Sequence, residues 1–192
     1  MRVIAGTARG VKLQALPGED VTRPTIDRVK EGMFSALQFV LPGAQVLDLF
    51  AGSGQLGIEA LSRGAAHCTF VDQNAAAVRV VKANCKAAGM ADRSQVIAGD
   101  ARGVLRTVGQ RFHVVLLDPP YRQDTLAQIM PEAAAVTLPG GTVLCESELA
   151  ADLPDLCDGL EKKKQHRYGT VLVTRYEKQR DLPGEENVSD EY

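Results

Sequence analysis

Two short stretches carry residue types whose spacing can do chemistry. The first, Asp118-Pro119-Pro120-Tyr121, follows an apolar run from Phe112 to Leu117. Proline fixes φ and offers no N–H, so this turn presents carbonyls and the Asp118 carboxylate as acceptors only, with Tyr121 as an aromatic wall. Such a site suits a planar group with N–H donors, and the exocyclic amine of a nucleobase is one. That amine is a poor nucleophile because its lone pair is delocalised into the ring. Hydrogen bonds from it to Asp118 and to the Pro119 carbonyl would turn the lone pair toward an electrophile and stabilise positive charge growing on nitrogen. Tyr121 would stack on the base, worth roughly 1 to 3 kcal/mol. A rigid loop without chemistry is the plain structural alternative.

The second stretch is Gln45 to Leu56, QVLDLFAGSGQL. Val46, Leu47, Leu49 and Phe50 make the short apolar run of a buried parallel strand, which stops at the turn Ala51-Gly52-Ser53-Gly54. Leu56, Ile58, Ala60 and Leu61 then recur among polar residues as in a helix. Bare glycine backbone lets a cofactor come close, and the helix N-terminus points free amides at it. Taken alone the turn is ambiguous: Gly52, Gly54 and Gly57 also fit the dinucleotide spacing G-x-G-x-x-G, and Asp72 lies near the offset of a ribose-binding acid.

The elements that must position these stretches alternate. Runs at 46–50, 67–72, 94–98, 112–117 and 142–146 read as strands, and segments near 55–63, 74–88, 101–108 and 123–136 read as helices. Alternation of this kind means an α/β fold, a parallel sheet covered on both faces. Ligands bind at the carboxyl edge of such sheets, where both stretches fall. Ahead of the alternation, residues 1–15 read as a β-hairpin carrying Arg2, Arg9 and Lys12. A helix follows from about Thr25 to Val40, with Thr25 suited to the N-cap and Asp27 to the first turn. Capping leaves Arg23 and Arg28 unexplained. After it, two strand-like runs joined by Gly169 end the sheet as an antiparallel pair.

Composition narrows the function. A chain of 192 residues with 45% hydrophobic content is close to one domain with a sizeable core. Its formal charge of -2 argues against an indiscriminate polyanion binder, yet five acids and no base lie between Asp181 and Tyr192; without them the remaining body carries +3. That tail is polar, without apolar periodicity, and is expected to be disordered. Cys68, Cys85, Cys145 and Cys157 form no C-x-x-C pair and read as reduced residues without a metal role, which fits a cytoplasmic protein. His67, His113 and His166 sit at no motif. The start MRVIAGTARG lacks an apolar h-region and no run is long enough to span a bilayer, so a soluble, unprocessed chain is expected.

DLFAGSG, a strand-final acid and DPPY together resemble the class I S-adenosylmethionine-dependent methyltransferases that modify exocyclic amines. More narrowly, Arg23-Pro24-Thr25 with Asp27-Arg28-Val29, then DLFAGSGQLGIEALSRGA, DPPY and Glu146-Ser147, are similar to the bacterial RsmD family. The likeness runs from Arg2 to about Lys178 and only the acidic tail departs from it. It implies a Rossmann-like sheet of seven strands with a reversed last strand. It also implies methylation of N2 of one guanine in 16S rRNA, the 966-type position, within the small ribosomal subunit or an assembly intermediate. Residues 1–42 become an RNA-contacting extension, 43–179 the methyltransferase domain and 180–192 a tail.

The resemblance assigns residues as well. Asp48, Phe50, Gly52, Ser53 and Gly54 would line the methionine half of S-adenosylmethionine, Asp72 would take the ribose hydroxyls and Gln73 would lie beside the ribose or adenine. Asp100, followed by Ala101, would hold the adenine amine. Asp118, Pro119 and Tyr121 would grip guanine. Arg9, Arg23, Thr25 and Arg28 would lie over the mouth and contact RNA or close the cofactor pocket. The expected enzyme is a monomer that needs neither metal nor membrane, and its target base must be unstacked to enter. Competing readings are a DNA amino- or cytosine methyltransferase, a NAD-binding reductase and a non-catalytic RNA-binding module.

Overall fold

Short apolar runs bounded by turn residues can be buried on both sides only between two helical layers, and the central strands here are used that way. The structure, a computed structural model, describes residues 1–16, 24–119 and 125–180, and of residues 24–26 the backbone alone. In chain order come α1 (Pro24–Leu37), β1 (Gln45–Asp48), α2 (Gln55–Ser62), β2 (His67–Asp72), α3 (Ala75–Ala87) and β3 (Ser94–Ala98). They are followed by α4 (Ala101–Thr107), β4 (Phe112–Leu117), α5 (Thr125–Val136), β5 (Thr137–Glu148), β6 (Leu156–Cys157), β7 (Leu160–Tyr168) and β8 (Val171–Lys178).

All eight strands join one sheet in the order β3-β2-β1-β4-β5-β8-β7-β6. β1 to β5 pair in parallel, whereas β8 runs antiparallel to both β5 and β7. This is the parallel sheet with a reversed last strand that the sequence implies. The two-residue β6 adds an eighth strand to the seven expected, and it covers only Leu160 and Glu161 of β7.

Alternation along the strands sends side chains to two apolar layers. Val46, Cys68, Phe70, Val114 and Leu116 face α1, α2 and α3; Leu47, Val71, Val115, Leu117 and Cys145 face α4 and α5. α1 belongs to the first layer through the fully buried Met33, Phe34 and Leu37. At Gly32 its backbone meets the sheet directly: a Cβ there would lie 2.0 Å from the Tyr168 hydroxyl at the end of β7.

Boundaries differ from expectation where tertiary pairing overrides local signals. α1 begins at Pro24, a favoured first helical residue, so Thr25 lies inside the first turn and not ahead of it. It ends at Leu37, short of Val40, and leaves Phe39 89% exposed. β5 begins at Thr137 although Pro139-Gly140-Gly141 reads as a turn, because those residues bulge out of the ladder: Phe112 pairs with Thr137 and Val114 already with Thr142. The acidic tail from Asp181 lies outside the described residues.

Residues 1–16 form an arm closed by one antiparallel bridge, Arg2 with Lys12. The arm lies along α2 and is held there by buried polar groups. Glu59, fully buried, accepts from Ile4 N at 2.8 Å and Ala5 N at 3.0 Å, and its third partner is the Arg63 guanidinium at 2.7 Å. Ser62 Oγ accepts from Ala8 N at 2.9 Å and donates to Ala5 O at 2.5 Å. Each unpaired buried donor or acceptor would cost about 1 to 3 kcal/mol, so these bonds fix the arm on the helix.

Candidate active site

The glycine turn leaves β1 as anticipated. Gly52 and Gly54 adopt φ of 53° and 78°, values that side chains rarely accept, and Gly54 is the residue from which α2 starts. Asp72, at the end of β2, fastens the turn by accepting from Gly52 N at 2.8 Å through one oxygen and from Asn74 N at 2.8 Å through the other. Asn74 in turn caps α3 through Ala76 N, and Gln73 between them is exposed. Beneath the turn Asp48 is 1% exposed and accepts from Gly57 N at 2.9 Å. Burial pushes its carboxyl up to about 7; the Gly57 N–H opposes the rise and the Asp72 charge adds to it.

Gly57, the third glycine of the ambiguous spacing, has a packing role. A Cβ on it would stand 2.2 Å from the Phe70 ring and 2.7 Å from Cys68 Sγ, so its absence lets α2 lie close on β2. Among the other residues expected at the cofactor, Phe50 is half-buried against the second apolar layer. Asp100 is exposed and caps α4 through Gly103 N, with Ala101 half-buried behind it. Ser53 is 5% exposed and donates to Met1 Sδ at 3.1 Å.

Sequence reasoning missed the residue beneath Ser53. Asn84 on α3 is 1% exposed and binds three groups: its amide nitrogen donates to Ser53 O at 2.8 Å and Gln14 O at 2.9 Å, and its oxygen accepts from Gln14 N at 2.8 Å. It therefore ties the cofactor turn to the exit of the N-terminal arm. The available signal was a polar residue next to the apolar stripe of Val78, Val81 and Cys85. Glu59, an acid among Ile58, Ala60 and Leu61, gave a similar signal.

Asp118 follows β4 on the strand next to this turn. Asp48 pairs with Leu116, and Leu49 N donates to Leu116 O at 3.2 Å, so the two loops leave neighbouring strands, which lie roughly 4.8 Å apart. Asp118 is half-buried and Pro119 buried; Tyr121 falls outside the described residues. On the far side of β4, a depression of about 390 Å³ opens at the end of β5, lined by Glu148, Leu149, Ala150, Thr170 and Val171. Two carboxyl-edge loops thus leave adjacent strands, one with bare backbone and acids and the other with Asp118 followed by Pro119.

The basic residues divide. Arg28, exposed, lies in the first turns of α1 near Asp27, which pairs with Arg2 at 3.6 Å, and the buried Lys30 donates to Arg2 O at 3.0 Å. Arg9 is exposed in the arm's turn beside Ser62, at the opposite end of α2 from the glycine turn. Arg23 and the side chain of Thr25 lie outside the described residues. Among the described residues no group of three or more His, Cys, Asp or Glu could hold a metal ion, and no helix is long and apolar enough to cross a membrane.

Comparison with known proteins agrees with this geometry. The family described as Conserved hypothetical protein 95 matches residues 1–177. YlbH of Bacillus subtilis strain 168, which bears an rRNA methyltransferase name, is 38% identical over 183 residues, 93% of this chain and 99% of its own. Ribosomal RNA small subunit methyltransferase D of Escherichia coli K12 is 34% identical over 187 residues, 96% of this chain and 92% of its own. The solved structure of the Escherichia coli protein yhhF superposes with a TM-score of 0.84 at 32% identity, covering 94% of this chain and 99% of that one. With the motifs, the reversed strand and the full-length match in agreement, the chain belongs to the RsmD family of class I methyltransferases.

Proposed function

We propose that the protein transfers a methyl group to the exocyclic N2 of one guanine in 16S rRNA, the 966-type position, on the small ribosomal subunit or an assembly intermediate. The observation that carries the reading is Asp118-Pro119 at the carboxyl end of β4, one strand from the glycine turn. The methyl donor is S-adenosylmethionine. The residues present fit it: Gly52 and Gly54 offer backbone without side chains, and Asp72 at the end of β2 and Asp100 in the loop after β3 stand where hydroxyl and amine donors need acceptors. When bound, it supplies an electrophilic methyl on a sulfonium centre.

The chain's own groups do the rest. Asp118 and the Pro119 carbonyl accept hydrogen bonds from the guanine amine, hold its lone pair toward the methyl and stabilise the positive charge that grows on nitrogen. The surplus proton leaves to Asp118 or to water. Tyr121 stacks on the base, and Arg23, Thr25 and Arg28 contact RNA or close the cofactor pocket. Arg9 takes a more distant phosphate, because its turn lies at the other end of α2. The protein acts as a cytoplasmic monomer.

Radiolabelled methyl transfer to small subunits, naked rRNA and duplex DNA, with the product nucleoside identified, tests the reading. N2-methylguanosine from subunits is the expected product. N6-methyladenine or N4-methylcytosine from duplex DNA, or no transfer alongside NADH binding, would replace it.

A further inference from the structure

Strand β7 reads Leu160-Glu161-Lys162-Lys163-Lys164-Gln165-His166-Arg167-Tyr168. Every residue from Lys163 to Arg167 is exposed. β6 pairs with Leu160 and Glu161 alone, and Lys162 N is taken by Asp155 O at 2.8 Å, so from Lys163 onward the outer side of the strand faces no described strand. We infer that this edge is a second RNA-docking ridge, which grips the phosphate backbone of the substrate away from the target base. The inference rests on the functional reading above and adds the surface that holds the RNA.

Three observations favour a polyanion here. First, the ridge has one sign. Lys163 is paired with Glu161 at 2.6 Å, but no described acid lies within ion-pair distance of Lys164 or Arg167. Second, like charges face each other across the ladder. Lys164 stands directly opposite Arg175 of β8, an arrangement that repels unless an anion lies between or above the pair. Arg175 reaches Glu177 at 3.2 Å through one terminal nitrogen, while its buried Nε has no hydrogen-bond partner among the described residues. Third, lysines often guard sheet edges against pairing with other chains, but the opposite edge of this sheet is not guarded that way. β3, Ser94 to Ala98, has no charged residue at all.

Geometry places the ridge within reach of one bound RNA. β7 runs toward the carboxyl edge and ends there at Tyr168, against Gly32 of α1, one helical turn from Arg28. It lies three strand positions from β4, roughly 14 Å from the Asp118 loop at about 4.8 Å per strand. That span is roughly four nucleotides of a stacked strand at 3.4 Å each. A substrate whose target base enters beside Asp118 can therefore lay its neighbouring phosphates along Arg167 and Lys164.

The test compares K164Q/R167Q with wild type and with K82Q/K86Q, which removes two exposed lysines from α3. Binding to a protein-free 16S rRNA fragment and to small subunits is measured across salt concentrations. Loss of two phosphate contacts should reduce the slope of log affinity against log salt by about 1.5 and weaken binding to both RNAs about tenfold near 0.1 M salt. Affinity for S-adenosylmethionine and melting temperature should match wild type, and K82Q/K86Q should keep the wild-type slope. An unchanged slope would overturn the ridge, whether or not the variant self-associates as an unguarded edge would. So would weakening on subunits alone, which would assign the edge to an acidic ribosomal protein. If wild-type protein methylates RNA while the slopes stay equal, only the ridge is lost; if it transfers nothing to RNA, the functional reading falls first.

Discussion

The two halves of the sheet differ in how completely their polar groups are paired: Thr137, Thr174 and Tyr176 find partners on the β5 side, but others there find none among the described residues. On the side of β3, β2 and β1, polar side chains are matched: the half-buried Asp72 binds two loop amides, and of the buried ones Glu59 binds two amides and a guanidinium and Asn84 binds three groups. On the side of β5, β8 and β7, the buried hydroxyls of Thr142 and Ser147 have no partner among the described residues, and Lys164 faces Arg175. A small cofactor with fixed functional groups requires a pocket set in advance, whereas a large polyanion supplies many partners when it arrives. The contrast therefore separates a preorganised half from one whose exposed edge still sets like charges side by side.

The largest expected departure is in the preorganised half and concerns pH. Asp48 keeps its proton up to about 7 when folded but releases it near 3.8 in the unfolded chain. Between those values the folded state binds more protons, so this group's contribution to stability is complete below 3.8 and is lost as pH rises through 7. At 1.36 kcal/mol per unit the loss is on the order of 4 kcal/mol. Asp48→Asn retains an acceptor for Gly57 N and should gain on wild type by a few kcal/mol at pH 8, measured by denaturant unfolding. Parallel stability curves from pH 4 to pH 8 would mean that the carboxyl is not strained by burial.

Next comes the boundary between the halves. Asp118→Ala should lower methyl transfer at least 10²-fold while calorimetry finds S-adenosylmethionine binding near wild type. Turnover at the wild-type rate would remove the acid from the mechanism, and lost cofactor binding would move it into the other half. The smallest effect is expected at Asn84. Asn84→Asp keeps the volume but turns an oxygen toward the Ser53 and Gln14 carbonyls, so cofactor affinity should fall about tenfold, the cost of roughly one unsatisfied buried group. A lower melting temperature with unchanged affinity would make Asn84 a structural clamp only.

Legibility in the sequence follows the same division. Strand runs, their order of alternation and the carboxyl-edge motifs are local patterns, and β2, β3 and β4 appear at the residues that periodicity indicates. The glycine turn was equally plain, although its spacing alone could not separate two cofactors. What periodicity could not show was contact between distant segments. The basic stretch read as a self-contained hairpin, yet Glu59 and Ser62 hold it from more than 50 positions away and set Arg9 beside the end of α2 opposite the glycine turn. β5 was read too short because a bulge in a ladder and a turn between elements share the same Pro-Gly signature. Asn84 was passed over because a buried amide looks like any polar residue until its three partners are in place.

Gly32 gives the phenol of Tyr168 a seat on main chain, where a methyl would occupy the same space. At that point α1 packs its main chain against the last ring before the β7–β8 turn, and any larger residue there would have to displace that ring. The helix that carries Arg28 and the strand that carries Arg167 thus meet at one glycine seam. An RNA gripped at both proposed sites would therefore cross that seam.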